Sequence, residues 1–181
     1  MIPVCRRTLF AAGATLALLP GARKPRAAPA AIVPHLQDAK PGAALPEIRF
    51  TTADGAARTL HDYAGQGVVL NFWATWCVPC VAEMPALAQL ASLLGETRVA
   101  ILPLSSDRGG APAVERFYRE KSIQGLPVLL DPRGEASRAF GARGIPTTVL
   151  IDAQGRERGR LEGAADWASP DAVAAVRALA P

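Results

Sequence analysis

Cysteine, histidine and methionine are scarce in this chain, whose 181 residues include three cysteines, two histidines and two methionines. So few cysteines exclude a disulfide-stapled scaffold, and with half of its residues apolar the chain can build one core without staples. His35 and His61 stand far from the cysteines in sequence, and the methionines do not cluster, so ligands for a bound metal are sparse. Long hydrophobic runs are absent too. The most apolar stretch, Leu9 to Leu19, is about a dozen residues, short of the roughly 20 that a membrane-crossing helix requires. No internal repeat is present.

Residues 1–30 have no acidic residue and carry Arg6, Arg7, Arg23, Lys24 and Arg26. Two arginines, an apolar run, a break at Pro20-Gly21 and small residues at Ala28-Pro29-Ala30 make up the order of a cleavable export signal. Arg6-Arg7-Thr8-Leu9-Phe10 resembles a twin-arginine signal, and a general secretory signal is the alternative. Either one places the protein in the periplasm or another extracytoplasmic space. Without residues 1–30 the chain keeps 15 of its 20 basic residues against 16 acidic ones, for a net charge of −1 in place of +4. The basic character belongs to the signal, and no footprint for nucleic acid remains. Cys5 leaves with the signal, so Cys77 and Cys80 become the only thiols.

Those two cysteines sit in Trp76-Cys77-Val78-Pro79-Cys80. Val68 to Ala74 is β-branched, aromatic and almost unbroken, which predicts a strand buried on both faces. Val81, Met84, Leu87, Leu90, Ala91 and Leu94 then recur at helical spacing, so the pair falls at a helix start. There the unpaired N–H groups and the positive end of the helix dipole favour a thiolate, the form that attacks disulfides. Cys77 is the expected attacking thiol. Cys80, one turn further in, is the expected resolving thiol, which releases the reduced product from a mixed disulfide. A purely structural disulfide is the alternative in an exported chain, but so short a loop restricts little of the unfolded chain.

The rest of the chain alternates strands and helices. Pro34 to Pro46 lacks periodicity, so residues 31–45 are expected to be a flexible arm and 46–181 the folded domain. Glu47–Thr52 and Ala57–Leu60 flank Asp54-Gly55 as a hairpin, and His61–Gly65 is a short turn. Strands are expected at 98–105, 127–130, 147–152 and 156–161, and helices at 113–121, 135–140 and 170–179, the last capped by Ser169. That pattern gives an α/β sandwich around one central mixed sheet.

Asn71-Phe72-Trp73-Ala74-Thr75-Trp76-Cys77-Val78-Pro79-Cys80, Glu83-Met84-Pro85 and Gly144-Ile145-Pro146-Thr147-Thr148 together resemble the exported TlpA-like branch of the thioredoxin superfamily. The likeness covers residues 45 to 179 or so. It implies a thioredoxin-like three-layer sandwich with an N-terminal β-hairpin and an extra helix and strand within residues 106–130, there to shape the substrate surface. It implies a cis Pro146 beside the cysteines, with the Ile145 backbone pairing with an incoming substrate strand. Where plain thioredoxin has a buried acid this chain has Asn71, and Glu83 is the only charged residue or histidine from Tyr63 to Gly95. Glu83 lies one helical turn beyond Cys80. Partly buried, it would exchange a proton with that thiol; exposed, it would only complement the helix dipole.

Trp76 either offers partners an apolar contact or caps the core. Pro79 stiffens the turn, Trp73 belongs to the core, and Pro85 bends the helix for core packing. The function expected is exported thiol-disulfide exchange without a cofactor, in the reducing direction, by a monomer. Its partners are disulfide-containing exported proteins of the cytochrome-maturation or copper-site type and a membrane thiol-reductant donor. A copper(I) carrier using the same cysteines is the alternative. Peroxide reduction is disfavoured, because related peroxidases place a threonine three residues before the reactive cysteine, where this chain has Ala74.

Overall fold

The computed structural model describes the backbone pairing of Gln37–Asp38 and all of residues 44–181. The expected export signal, Cys5 and His35 lie outside the described residues. Among the described residues, eight strands form one sheet: β1 (Gln37–Asp38), β2 (Arg49–Thr52), β3 (Ala57–Thr59), β4 (Gly67–Trp73), β5 (Val99–Ser105), β6 (Leu129–Leu130), β7 (Thr147–Ile151) and β8 (Glu157–Glu162). Their spatial order is β1-β8-β7-β4-β5-β6-β2-β3. The β4–β5 and β5–β6 pairs are parallel and the others antiparallel, so the sheet is mixed. Among the described residues, four helices complete the fold: α1 (Val78–Leu94), α2 (Gly110–Lys121), α3 (Glu135–Ala139) and α4 (Pro170–Arg177).

Every residue of β4 is buried, as its unbroken apolar sequence predicts. Alternation along the strand divides the core in two. Val69 and Trp73 pack with Met84, Leu87, Leu90 and Leu94 of α1, Phe117 of α2 and Val176 of α4. Val68, Leu70 and Phe72 face the other way, toward Ile48, Phe50, Ala136 and Phe140. These are the three layers of a thioredoxin-like sandwich. Asn71 falls on the Val69–Trp73 side, so β4 aims its single polar side chain at α1.

Several elements differ in extent from their sequence signals, each for a local reason. Within the expected arm, Gln37–Asp38 pairs with Arg160 and Gly159, because the outer edge of β8 offers open backbone groups to an extended chain. The strand expected over 127–130 shrinks to Leu129–Leu130. Pro127 has no N–H for a ladder, and its carbonyl instead accepts from the Tyr118 hydroxyl at 3.3 Å. Helix α2 starts at Gly110 rather than 113, since Pro112 is tolerated in a first turn. Leu60–Tyr63 is a short 3-10 helix. Pro85 sits inside α1 with its side chain exposed, so it does not serve core packing; Met84 beside it is fully buried and does.

The helix and strand expected within 106–130 are present as α2 and β6. β6 lies between β5 and β2, so it joins the β2–β3 hairpin to the central strands. α2 stacks Tyr118 on Trp73 with ring centroids 6.0 Å apart. Both elements are built into the core.

The chain end crosses the start of β4. A Cβ on Gly67 would lie 2.7 Å from Leu179 Cβ and 2.9 Å from its carbonyl carbon. Gly67→Ala is therefore expected to destabilise the fold by about 1–3 kcal/mol through overpacking. A urea midpoint that falls with an unchanged slope would show it.

Candidate active site

Cys77 is the N-cap of α1 and Cys80 lies in its first turn, joined as a disulfide with Cα atoms 5.2 Å apart. The Cys77 carbonyl accepts the first helical bond from Val81 N at 2.9 Å, and its Sγ accepts from Cys80 N at 3.3 Å. The sulfur therefore occupies the place where a capping oxygen usually meets the free N–H groups of a helix start. Pro79 stands in that first turn, where its missing N–H costs nothing. Cys77 is 6% exposed and Cys80 is wholly buried, so only Cys77 can meet a partner.

Beside the pair, the Ile145–Pro146 peptide bond is cis and the Ile145 carbonyl oxygen lies 3.6 Å from Cys77 Sγ. Ile145 is half-buried and Pro146 buried. Neighbouring carbonyls are already engaged: Pro146 accepts from Gly163 N at 2.8 Å and Gly144 from the Thr147 hydroxyl at 2.7 Å. Trp76 is 67% exposed and Val78 80% exposed, two of the three large apolar side chains open to solvent among the described residues. An apolar rim thus surrounds the one accessible sulfur.

Behind the disulfide lies a buried polar network. The antiparallel register sets Asn71 opposite Thr148, so both side chains point toward α1. Asn71 Nδ2 donates to Thr148 Oγ1 at 2.9 Å and to Glu83 Oε1 at 3.0 Å, while Asn71 Oδ1 is buried without a partner. Glu83 Oε2 accepts from Ala165 N at 3.1 Å and from Trp167 Nε1 at 3.0 Å. Burial pushes the Glu83 carboxyl up to about 7, against the pull of its three donors. Glu83 is 2% exposed, a deeper burial than its sequence position implies. It shares the buried side of α1 with Cys80, one turn away.

Sequence reasoning placed Cys77, Cys80, Glu83, Trp76, Pro79, Ile145 and Pro146 at one site, and they do converge. It missed Thr148 and Trp167. A lone polar residue inside an apolar strand is the signal for Asn71; Thr148, next to Thr147 at the start of β7, has no such mark, and Trp167 lies between short polar and small residues, with no pattern to mark it. Asp107 was also missed. Following two serines at a strand end, it looks like an ordinary loop residue, yet it is 4% exposed and bonded to Thr75.

Fold and site together define a thioredoxin-like protein with the Cys77–Cys80 pair joined at a helix start. Comparison with known proteins names the family: residues 41–158 match the AhpC/TSA family, to which the chain belongs. A Bacillus thuringiensis relative, thiol-disulfide oxidoreductase ResA, is 35% identical over 122 residues, covering 67% of this chain and 69% of that protein. Among solved structures, a thiol:disulfide interchange protein of Chlorobium tepidum superposes with a TM-score of 0.62 at 28% identity, covering 77% of this chain and 99% of that one. The exposed lipoprotein thioredoxin of Streptococcus pneumoniae gives 0.60 at 28% identity, over 73% and 98%. These relatives make the chain a member of a thiol-disulfide oxidoreductase group. In this chain Ala74, where peroxidases of the superfamily place a threonine, has no hydroxyl, and the hydroxyl of Thr75 is taken by Asp107 at 2.6 Å.

Proposed function

We propose that this protein is an exported thiol-disulfide oxidoreductase that reduces disulfides of other exported proteins. The observation that carries the reading is the asymmetry of the pair: Cys77 is reachable and caps a helix start, while Cys80 is sealed beneath it. In the reduced protein the Cys77 thiolate, held by the Cys80 N–H and the helix dipole, attacks a substrate disulfide, and the substrate's other sulfur leaves as a thiolate. Cys80 then gives up its proton and attacks Cys77, forming the Cys77–Cys80 disulfide and releasing the second substrate sulfur. Glu83, with a carboxyl near 7, is suited to take that proton.

Trp76, Val78 and the Ile145 edge form the contact for the partner chain. Export is supported by the charge and apolar order of residues 1–30 and by a relative that is itself an exposed lipoprotein. The oxidised pair must be reset, so a membrane thiol donor is the second partner. Targets of the cytochrome-maturation or copper-site type fit this role.

Two measurements on the purified protein test the reading. Turnover of insulin disulfides with dithiothreitol as reductant is expected, with weak copper(I) binding. Stoichiometric, tight copper(I) binding without insulin reduction would instead make the pair a metal carrier.

A further inference from the structure

In the turn that delivers Cys77, only Ala74 is packed in the core. Between the end of β4 and the N-cap of α1 lie Ala74, Thr75 and Trp76, and Trp76 projects into solvent. Hydrogen bonds hold the rest of this turn. Asp107, from the loop after β5, supplies two of them: its Oδ2 accepts from Thr75 N at 2.9 Å and its Oδ1 from Thr75 Oγ1 at 2.6 Å, while Oδ2 also accepts from Ser105 Oγ at 2.7 Å at the end of β5. Asp107 is itself fixed, because its N–H donates to Ser105 Oγ at 3.0 Å. One residue earlier, Ser106 N donates to the Trp73 carbonyl at 2.9 Å, and Cys77 N closes the turn on Ala74 O at 3.2 Å.

We propose that Asp107 is a positioning residue for Cys77: it clamps the β4–α1 turn to the β5–α2 loop and so sets the attacking sulfur between the Cys80 N–H and the Ile145 edge. The inference rests on the thiol-exchange reading above. Both sulfur contacts, 3.3 Å to Cys80 N and 3.6 Å to Ile145 O, are short enough that a shift of about 1 Å would spoil one of them. The clamp also gives the segment between β5 and β6 a part in the chemistry. It acts through the turn, and its helix need not touch the substrate.

The carboxylate suits this task because every group it meets is a donor, two hydroxyls and one amide. Asparagine can imitate it: its oxygen replaces Oδ2, and its amide donates to a Thr75 hydroxyl turned around to accept. Alanine cannot, and it leaves the half-buried Thr75 N–H without its partner. Thr75→Val removes the hydroxyl bond alone and keeps the side-chain shape, and Thr75→Ser retains that bond.

The test measures the pre-steady-state rate of mixed-disulfide formation at Cys77, in reduced wild type, Asp107→Ala, Asp107→Asn, Thr75→Val and Thr75→Ser. Asp131→Ala serves as the control for lost stability: that carboxylate caps α3 through Glu135 N, Ala136 N and Ser137 N, and α3 packs on the core cluster that does not hold the cysteines. Asp107→Ala is expected to slow the step about 10- to 100-fold. Asp107→Asn and Thr75→Ser should stay within about threefold of wild type, with Thr75→Val between. Asp131→Ala should lower the melting temperature and leave the rate alone. Wild-type rates in folded Asp107→Ala, or equal slowing by Asp131→Ala, would overturn the proposal. If Asp107→Ala does not fold, a wild-type rate in Thr75→Val has the same force. A wild-type protein that forms no mixed disulfide refutes the thiol-exchange reading itself, a different result from any of these.

Discussion

Replacing Cys77 by serine is expected to abolish insulin reduction, lowering it by more than about a thousandfold, because a serine hydroxyl does not ionise at neutral pH and cannot form the mixed disulfide. Replacing Cys80 by alanine has a different outcome. Cys77 still attacks, but nothing resolves the intermediate, so the protein accumulates covalently bound to its substrate. Cys5 should be changed to alanine in the same chain so that it does not compete. The contrast follows from burial: Cys80 is wholly enclosed and Cys77 is not, so the roles cannot be exchanged. Non-reducing electrophoresis of the Cys80→Ala protein incubated with an exported protein fraction reads the result, and sequencing the trapped bands names the partners. Trapping through Cys80 in a Cys77→Ala chain would reverse the assignment.

The second large effect belongs to Glu83. Its carboxyl is raised from 4.5 to about 7 by burial, so the folded chain holds a proton that the unfolded chain releases. Below pH 4.5 both states carry that proton. As pH rises through the window between 4.5 and 7 the unfolded state loses it first, so this residue's contribution to stability falls, then levels off above 7. The total is about 3 kcal/mol as an order of magnitude. Glu83→Gln should remove this slope from the pH dependence of unfolding. It should also slow resolution of the mixed disulfide roughly a hundredfold near neutral pH, since no group then takes the Cys80 proton. Stopped-flow rates from pH 5 to 9 are the measurement. Rates that match wild type across that range would remove Glu83 from the chemistry and leave it as a buried anchor for Trp167.

Much of this site is legible in the sequence because chain-local features create it. The step from an apolar strand into a helical period fixes where Cys77 and Cys80 fall, and the single charge at Glu83 stands out in a region with no other. Long-range contacts are less visible. Trp167 reaches Glu83 across 84 positions and Asp107 reaches Thr75 across 32, and neither has a neighbour pattern that announces its partner. Edge pairing is equally hidden. Gln37–Asp38 has no strand-like sequence, and only the exposed backbone of β8 makes it extended. Pro85 misleads for the opposite reason: a proline within an apolar helix suggests a core role, while the helical turn directs it to solvent.

Direction is the central claim, and the reduction potential of the Cys77–Cys80 pair tests it most directly. Equilibration with glutathione or dithiothreitol buffers gives the value. A disulfide reductase is predicted to lie near the potential of thioredoxin, about −270 mV. A value close to about −120 mV, the range of strong protein oxidants, would contradict the account and make the protein a donor of disulfides.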